Sequence, residues 1–289
     1  MHFSPIAIVG RSCVLPGALD PEALWTLVSE GRDAVRSAPK GRWRTGKSDA
    51  RCLPSEDSSD RSWSDKGGYV SGFDEHWDPT GFGVDVEELT GLDPLFHWAL
   101  HCARTALADA GDDRRGVVSR PRVSAVFGNL GYPSGEMTRL AEAQWHDDAS
   151  RPAPINRFMS SGAASMVERA LGLAPGAMCL DTACASSLYA IKLAIDQLHD
   201  GTVDLALAGA VNGADDLFIH VGFTALKAMS ESGQSRPFHR AADGLVPAEG
   251  AGMVALKRLE DARRDGDHIY GIIRGVGLSN DGRGRGFLA

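Results

Sequence analysis

Cys184 is the residue of this sequence best placed to act as a nucleophile. It sits in the run Met178-Cys179-Leu180-Asp181-Thr182-Ala183-Cys184-Ala185-Ser186-Ser187-Leu188-Tyr189-Ala190. An apolar, strand-like stretch ends at Asp181, and Leu188, Ile191, Ile195 and Leu198 follow with helical spacing. The pattern predicts a helix from about Cys184 to Asp200, with Gly201 as its stop. A cysteine at such a turn lies at the positive end of the helix dipole, where orphan N–H groups stabilise a thiolate and can hold the oxyanion of an acyl intermediate. Ala183, Ala185, Ser186 and Ser187 are small and leave room for a substrate. The same spacing fits a buried structural cysteine, the usual state of a free thiol, so position alone leaves both readings open.

Other reactive side chains are less well arranged. His97 and His101 stand four apart on one helical face, a metal-site spacing, but no acidic partner matches it and Cys102 points elsewhere. They read as ordinary helix-face residues. Glu249 lies in Ala248-Glu249-Gly250-Ala251-Gly252, where the glycines predict a tight turn entering a strand. No Lys-Ser/Thr follows, so this is not a phosphate loop. Asp243 and Glu249 are expected to hold loops by hydrogen bonds, and His220 and His239 to be structural or surface residues. The five cysteines, at 13, 52, 102, 179 and 184, show no C-x-x-C pair, which fits a reducing, cytoplasmic setting.

Composition narrows the class. The 289 residues are 43% hydrophobic and 24% charged, with a net charge of −8. No basic stripe interleaved with aromatics suggests nucleic acid as a partner. No apolar run reaches membrane-spanning length, and Met1-His2-Phe3-Ser4-Pro5 leads into a strand without the features of a signal peptide. No bound cofactor or metal is expected.

Strands and helices alternate around Cys184. Strands are predicted at 6–9, 123–127, 177–180, 205–211, 252–256 and 269–277. Asp20-Pro21 and Asp93-Pro94 read as helix starts, with Gly31 and Gly111 as stops. A short helix is expected over 136–144, a surface loop over 40–66, and a charged turn over 257–267. Such alternation predicts layered α/β architecture.

The run Asp181-Thr182-Ala183-Cys184-Ala185-Ser186-Ser187 resembles the active-site motif of β-ketoacyl synthases, the condensing enzymes of fatty-acid and polyketide assembly. Further matches fall in the family's order: Pro5-Ile6-Ala7-Ile8-Val9-Gly10, Leu15-Pro16-Gly17, Asp20-Pro21-Glu22-Ala23-Leu24-Trp25, Gly41-Arg42-Trp43, Gly67-Gly68-Tyr69-Val70, Leu92-Asp93-Pro94, Val126-Phe127-Gly128, Asp204-Leu205-Ala206-Leu207-Ala208-Gly209, Ala242-Asp243-Gly244 and Ala248-Glu249-Gly250-Ala251-Gly252. The resemblance covers essentially the whole chain. It implies a thiolase-like layered αβαβα fold, with residues 1–262 as its N-terminal half and 263–289 as the start of a truncated C-terminal half. It implies Cys184 as acceptor of an acyl chain carried on the phosphopantetheine of an acyl carrier protein, for decarboxylative condensation with a malonyl-type extender. It also implies a homodimer through the strand at 177–180. The family's two catalytic histidines, in His-Gly-Thr-Gly-Thr-like and Asn-Ile-Gly-His-like loops, match nothing in this sequence, nor does the lysine just before the second. The chain is therefore expected to be inactive alone, as a cut piece, a truncated product or half of a split enzyme completed by a C-terminal half on another chain. A non-catalytic dimerisation scaffold and another thiolase-fold coenzyme A acyltransferase are the alternatives. Leu95-Phe96-His97-Trp98, Leu245-Val246-Pro247-Ala248-Glu249 and Met159-Ser160-Ser161-Gly162-Ala163-Ala164 depart from the pattern of modular polyketide synthases and suggest an outlying branch.

Overall fold

The apolar run after Pro5 becomes β1 (Ile6–Val14), most of whose side chains are withdrawn from water. Asp20 accepts the N–H of Ala23 and caps α1 (Pro21–Ser29), where Pro21 fills a position that needs no donor. β2 (Val35–Ser37), α2 (Lys47–Ala50) and β3 (Lys66–Gly68) follow, with β2 and β3 paired antiparallel. After α3 (Val86–Leu89), Asp93 caps α4 (Pro94–Asp109) through the N–H of Leu95. The remaining elements are β4 (Val123–Asn129), α5 (Gly135–Trp145), α6 (Met159–Leu171), β5 (Pro175–Leu180), α7 (Ser186–His199), β6 (Leu205–Asn212), α8 (Asp216–Ala225), β7 (Gly250–Arg258), α9 (Leu259–Asp265) and β8 (Gly271–Ile273). This computed structural model describes residues 3–43, 47–54, 56, 60–112, 122–146, 153–157, 159–280 and 282–283.

Five strands form one mixed sheet in the order β4-β6-β7-β1-β8. β4 and β6 run parallel, while β7 is antiparallel to both β6 and β1, and β8 is antiparallel to β1. β5 lies along β4, with a bridge between Ala174 and Val123 at its start. α4 and α6 cover one face, packing Phe96, Leu100, Leu107 and Met166 against Ala7, Val9, Val14 and Phe127. α7 covers the other, packing Ala190, Ala194, Ile195 and Leu198 against Ile6, Val126, Ala206, Ala208 and Leu256. Each large aliphatic side chain so buried contributes about 1.5–3 kcal/mol before entropy is counted. This is the mixed α/β, thiolase-like architecture expected. The segment after residue 262, read as the start of a second half, adds β8 to the same sheet through β1.

Several expectations need correction. The stretch 40–66 is not simply a surface loop: Trp43, Ala50, Cys52, Ser62, Ser64 and Asp65 are buried, and α2 and the start of β3 lie within it. Residues 44–46, 55 and 57–59 of that stretch, and 281 and 284–289 of the segment read as the start of a second half, lie outside the described residues. The charged turn at 257–267 holds α9, and the last strand is confined to Gly271–Ile273. The helix after Cys184 turns most of the expected stripe inward: Ile195 and Leu198 are buried and Ile191 packs against them half-buried, whereas Leu188 is 64% exposed and alanines 190 and 194 complete the inward face. α6 and α8 have no counterpart in the sequence reading.

Candidate active site

The chain enters the Cys184 turn from β5 and leaves it into α7, with Ala183–Ala185 forming a single 3-10 turn between them. Cys184 therefore precedes the α-helix rather than opening it, and its thiol is the exposed one among the five cysteines. Ala183 has φ +52°, a left-handed conformation that costs a residue with a Cβ about 1–2 kcal/mol. Side chains on either side hold it there. Asp181 Oδ1 accepts the N–H of Ala183 at 2.9 Å. Ser186 Oγ accepts the N–H of Thr182 at 2.9 Å and donates to the carbonyl of Ala183 at 2.7 Å. The backbone thus turns sharply at the residue before the thiol and throws it outward.

The helix behind the thiol starts without a side-chain cap. Ala185 is the N-cap of α7 and makes no capping hydrogen bond, whereas α1, α4, α5 and α8 are capped by Asp20, Asp93, Ser134 and Asp215. No side chain consumes the first N–H groups of α7, although the Ser186 N–H donates to the carbonyl of Ala183 in the preceding turn, and the helix start next to Cys184 carries the positive end of its dipole. The helix approaches β4 closely at Gly128. A Cβ at that position would stand 2.5 Å from Ser186 Cβ and 3.1 Å from the Ser186 carbonyl carbon. Only glycine lets the start of α7 rest there.

The loop after β4 is tied to the same turn. Asp181 Oδ2 accepts the N–H of Gly131 at 2.8 Å, so one carboxylate joins this loop to the residue preceding Cys184. Pro133 O accepts the N–H of Asp215 at 2.7 Å, and Ser134 bridges Ala214, which links the loop to the start of α8. The carboxyl ends of the parallel pair β4 and β6 thus carry the loops around the thiol, as in other α/β sheets.

The remaining cysteines are withdrawn. Burial pushes the thiols of Cys102 and Cys179 up to about 12, and that of Cys13, aided by Asp20 and Glu22, to about 11. Cys52 is buried as well.

The other singled-out residues lie in supporting roles. Glu249 accepts the N–H of Val70 at 2.9 Å and pairs with Arg42, which also binds Asp216 at 2.8 Å. Burial raises the Glu249 pKa, with Arg42 and the Val70 N–H offsetting part of that rise. Asp243 accepts from Ser230 Oγ and the Ser232 N–H, each at 2.8 Å, and closes the neck of the 230–245 loop. His220 is fully buried, its ring between the carbonyls of Asp216 and Lys66, and His239 is exposed. His97 stacks on Trp77 with ring centroids 4.8 Å apart, and His101 meets the ring of Phe73 at 5.3 Å. None of these four histidines bonds to the Cys184 turn in the described residues. Gly128 was not singled out by the sequence, and Ala183 and Ser186 only as small neighbours of the thiol, although all three lie inside the quoted motifs.

The family model described as "Beta-ketoacyl synthase, N-terminal domain" matches residues 3–262. The chain belongs to the β-ketoacyl synthase family. It is 35% identical over 290 residues to pikromycin polyketide synthase component PikAIII of Streptomyces venezuelae, covering 99% of this chain and 18% of that protein. It is 35% identical over 280 residues to polyketide synthase PksN of Bacillus subtilis, covering 96% of this chain and 5% of that protein. Among solved structures, a PfaC keto synthase-chain length factor superposes with a TM-score of 0.89 at 33% identity, over 97% of this chain and 32% of that one. The ketosynthase from module 6 of the bacillaene synthase of Bacillus subtilis superposes with a TM-score of 0.78 at 30% identity, over 99% of this chain and 45% of that one. The chain thus spans a minor part of each of these relatives. No helix of the described residues is long and apolar enough to cross a membrane.

Proposed function

We propose that this chain carries the acyl-accepting part of a ketosynthase, with Cys184 as the nucleophile. The observation that supports this most is the exposed thiol on a strained turn, backed by the uncapped start of α7. The thiolate attacks the carbonyl carbon of an acyl thioester, and first-turn N–H groups of α7 face the negative charge that builds on sulfur or oxygen. The thioester bond breaks, the carrier thiol leaves with a proton, and the acyl chain stays on Cys184. The carrier is the phosphopantetheine arm of an acyl carrier protein, and this chain binds no cofactor of its own.

Condensation requires a second part. Decarboxylating a malonyl-type thioester needs donors for the enolate oxygen, and the histidine loops that the family resemblance assigns to that task have no match in this sequence. That second part is proposed to pack over the sheet between α1 and α7. There Leu24, Trp25, Val28, Ile191, Met253 and Val254 line an apolar trough of ≈ 540 Å³, and Trp25 is 72% exposed. β5, with Met178 44% exposed, is the proposed strand through which two copies pair; sedimentation of a well-folded monomer at micromolar concentration counts against this.

The test is intact and peptide mass spectrometry after incubation with acetyl N-acetylcysteamine thioester. An acetyl group on the Cys184 peptide, lost in Cys184→Ala, is the expected result. A malonyl thioester added to the acylated chain should give no β-ketoacyl product above background. Acetylation of a different residue, or condensation by this chain alone, would overturn the assignment.

A further inference from the structure

We propose that Arg42 is a positioning residue for the Cys184 turn, acting through the start of α8 and the loop after β4. The inference rests on Cys184 being the acyl acceptor. Gly41-Arg42-Trp43 is a motif of the sequence that the nucleophile site leaves unused. Its two large side chains take both oxygens of one carboxylate. Arg42 Nε donates to Asp216 Oδ1 at 2.8 Å, and Trp43 Nε1 donates to Asp216 Oδ2. The other arm of the guanidinium pairs with Glu249, whose second oxygen accepts the N–H of Val70 at 2.9 Å. The side chains of Asp216 and Glu249 are only 14% and 7% exposed, so water is a poor substitute for either bond.

Asp216 is the first residue of α8, and the start of this helix leads to the thiol by short steps. Asp215 donates its N–H to Pro133 O at 2.7 Å, and Ala214 bridges Ser134, both in the loop after β4. Two residues before Pro133, the N–H of Gly131 is held by Asp181 Oδ2 at 2.8 Å. The other oxygen of Asp181 holds the N–H of Ala183 at 2.9 Å, and Cys184 is next in the chain. Arg42 thus stands at one end of a continuous path of hydrogen bonds and short backbone links, and the thiol stands at the other.

The chemistry of the bridge calls for arginine. A guanidinium presents its N–H groups in a planar fork and can serve two carboxylates at once. An ammonium is a point charge that does not hold both in fixed directions. Arg42, Asp216 and Glu249 line one polar cavity of ≈ 200 Å³ with Gly135 and Asp215, so the guanidinium is held by its bonds rather than by close packing. Losing the fork lets the start of α8 shift, and the shift reaches Asp181 through Pro133 and Gly131. A reacting group misplaced by about 1 Å loses about 10²-fold in rate, and a displacement diluted over this path is expected to cost about tenfold.

The experiment measures Cys184 acylation by acetyl N-acetylcysteamine thioester in the full chain, well below its melting temperature, by mass spectrometry. Arg42→Lys is expected to slow acylation about tenfold. Asp181→Ala cuts the path beside the thiol, so adding Arg42→Lys to it should change the rate by less than about twofold, although its effect on melting temperature persists. A purely structural role would lower the melting temperature in both backgrounds and leave the acylation rate of folded protein unmoved. Asp216→Asn, which weakens the link from Arg42 to α8 alone, replaces Arg42→Lys if the latter does not fold. Arg122→Lys, in an ion pair with Asp204 at the opposite end of β4, is the control and should keep the wild-type rate within about twofold. An unchanged rate in folded Arg42→Lys, equal slowing with and without Asp181, or equal slowing of the control overturns the relay while leaving Cys184 in its role. A wild-type protein that takes no acetyl group on Cys184 overturns both readings.

Discussion

Gly128→Ala tests whether the Cys184 turn is positioned by the contact between β4 and α7. The added Cβ would stand 2.5 Å from Ser186 Cβ, 3.1 Å from the Ser186 carbonyl carbon and 3.3 Å from the Ser187 nitrogen. Carbon pairs rest at about 3.5–4.0 Å, so the start of α7 or the end of β4 must move by roughly 1 Å. Neither can give easily: Gly128 lies within the β4–β6 ladder opposite Ala210, and the atoms it would strike are partly backbone. Overpacking of this kind costs about 1–3 kcal/mol. Ser186 also supplies the hydroxyl that holds Thr182 and Ala183, so the displacement is passed to the thiol. Misplacing a reacting group by about 1 Å lowers rate by about 10²-fold. The assays are thermal melting and the rate of Cys184 acetylation by the N-acetylcysteamine thioester. Gly222→Ala is the control, since Gly222 lies in α8 with nothing within 4 Å of the added atom, and should be neutral or stabilising by up to about 1 kcal/mol. A Gly128→Ala protein that melts and acylates like wild type would refute the reasoning.

Alkylation should discriminate sharply among the cysteines. Iodoacetamide at pH 8 is expected to label Cys184 first, because Cys13, Cys102 and Cys179, with thiols raised to about 11, 12 and 12, stay protonated there and gain thiolate only as the pH approaches those values. Peptide mapping across pH 7–10 checks this, and early labelling of a buried cysteine in folded protein would contradict it. Ala183→Gly relieves a left-handed cost of about 1–2 kcal/mol and adds about 0.5–1 kcal/mol of chain entropy, so the melting temperature should hold or rise slightly. Ala183→Val should lower it by more than the alanine strain alone, since a branched Cβ fits the left-handed region worse.

The parts of this fold legible in the sequence are those governed by local chemistry. Asp20-Pro21 and Asp93-Pro94 start α1 and α4 because a carboxylate accepts an orphan N–H while proline occupies a position that needs none. The strands at β1, β4 and β6 stand out as short apolar runs between turn residues. α6 did not stand out, because half of its inward positions, Ala163, Ala164 and Ala170, are small, and its start lies among serines and glycine, although Met166, Val167 and Leu171 complete an inward face. α8 reads Asp-Leu-Phe-Ile-His-Val-Gly-Phe-Thr-Ala, apolar almost throughout and without a helical stripe. The 40–66 stretch looks solvated by composition, yet Trp43 is buried by its bond to Asp216, a partner 173 residues away. The motif around Cys184 was equally visible, but its left-handed Ala183 and the need for Gly128 exist only after β4 and α7 meet.

The way the turn is held bears on which steps this chain can perform. A left-handed alanine persists only where its surroundings over-determine it. Here the restraints are Asp181, Ser186 and the β4 contact at Gly128, all within the described chain. The charge-assisted bond from Asp181 contributes about 1.5–3 kcal/mol at most, less where exposed, and each neutral bond of Ser186 about 0.5–1.5 kcal/mol, so together they roughly match the strain at Ala183. The Cys184 turn is therefore restrained from within the described residues. The donors for an enolate are a separate matter: His220 is locked between two carbonyls and Glu249 is committed to Arg42 and Val70. On the proposed reading that the enolate donors lie in a second part, each absent donor costs about 10²–10³ in rate, and decarboxylation by this sequence alone should stay near background. Acyl transfer and condensation should thus separate in this chain, the first surviving and the second not. Loss of both together would mean that the turn, despite its internal restraints, needs the second part to hold its shape.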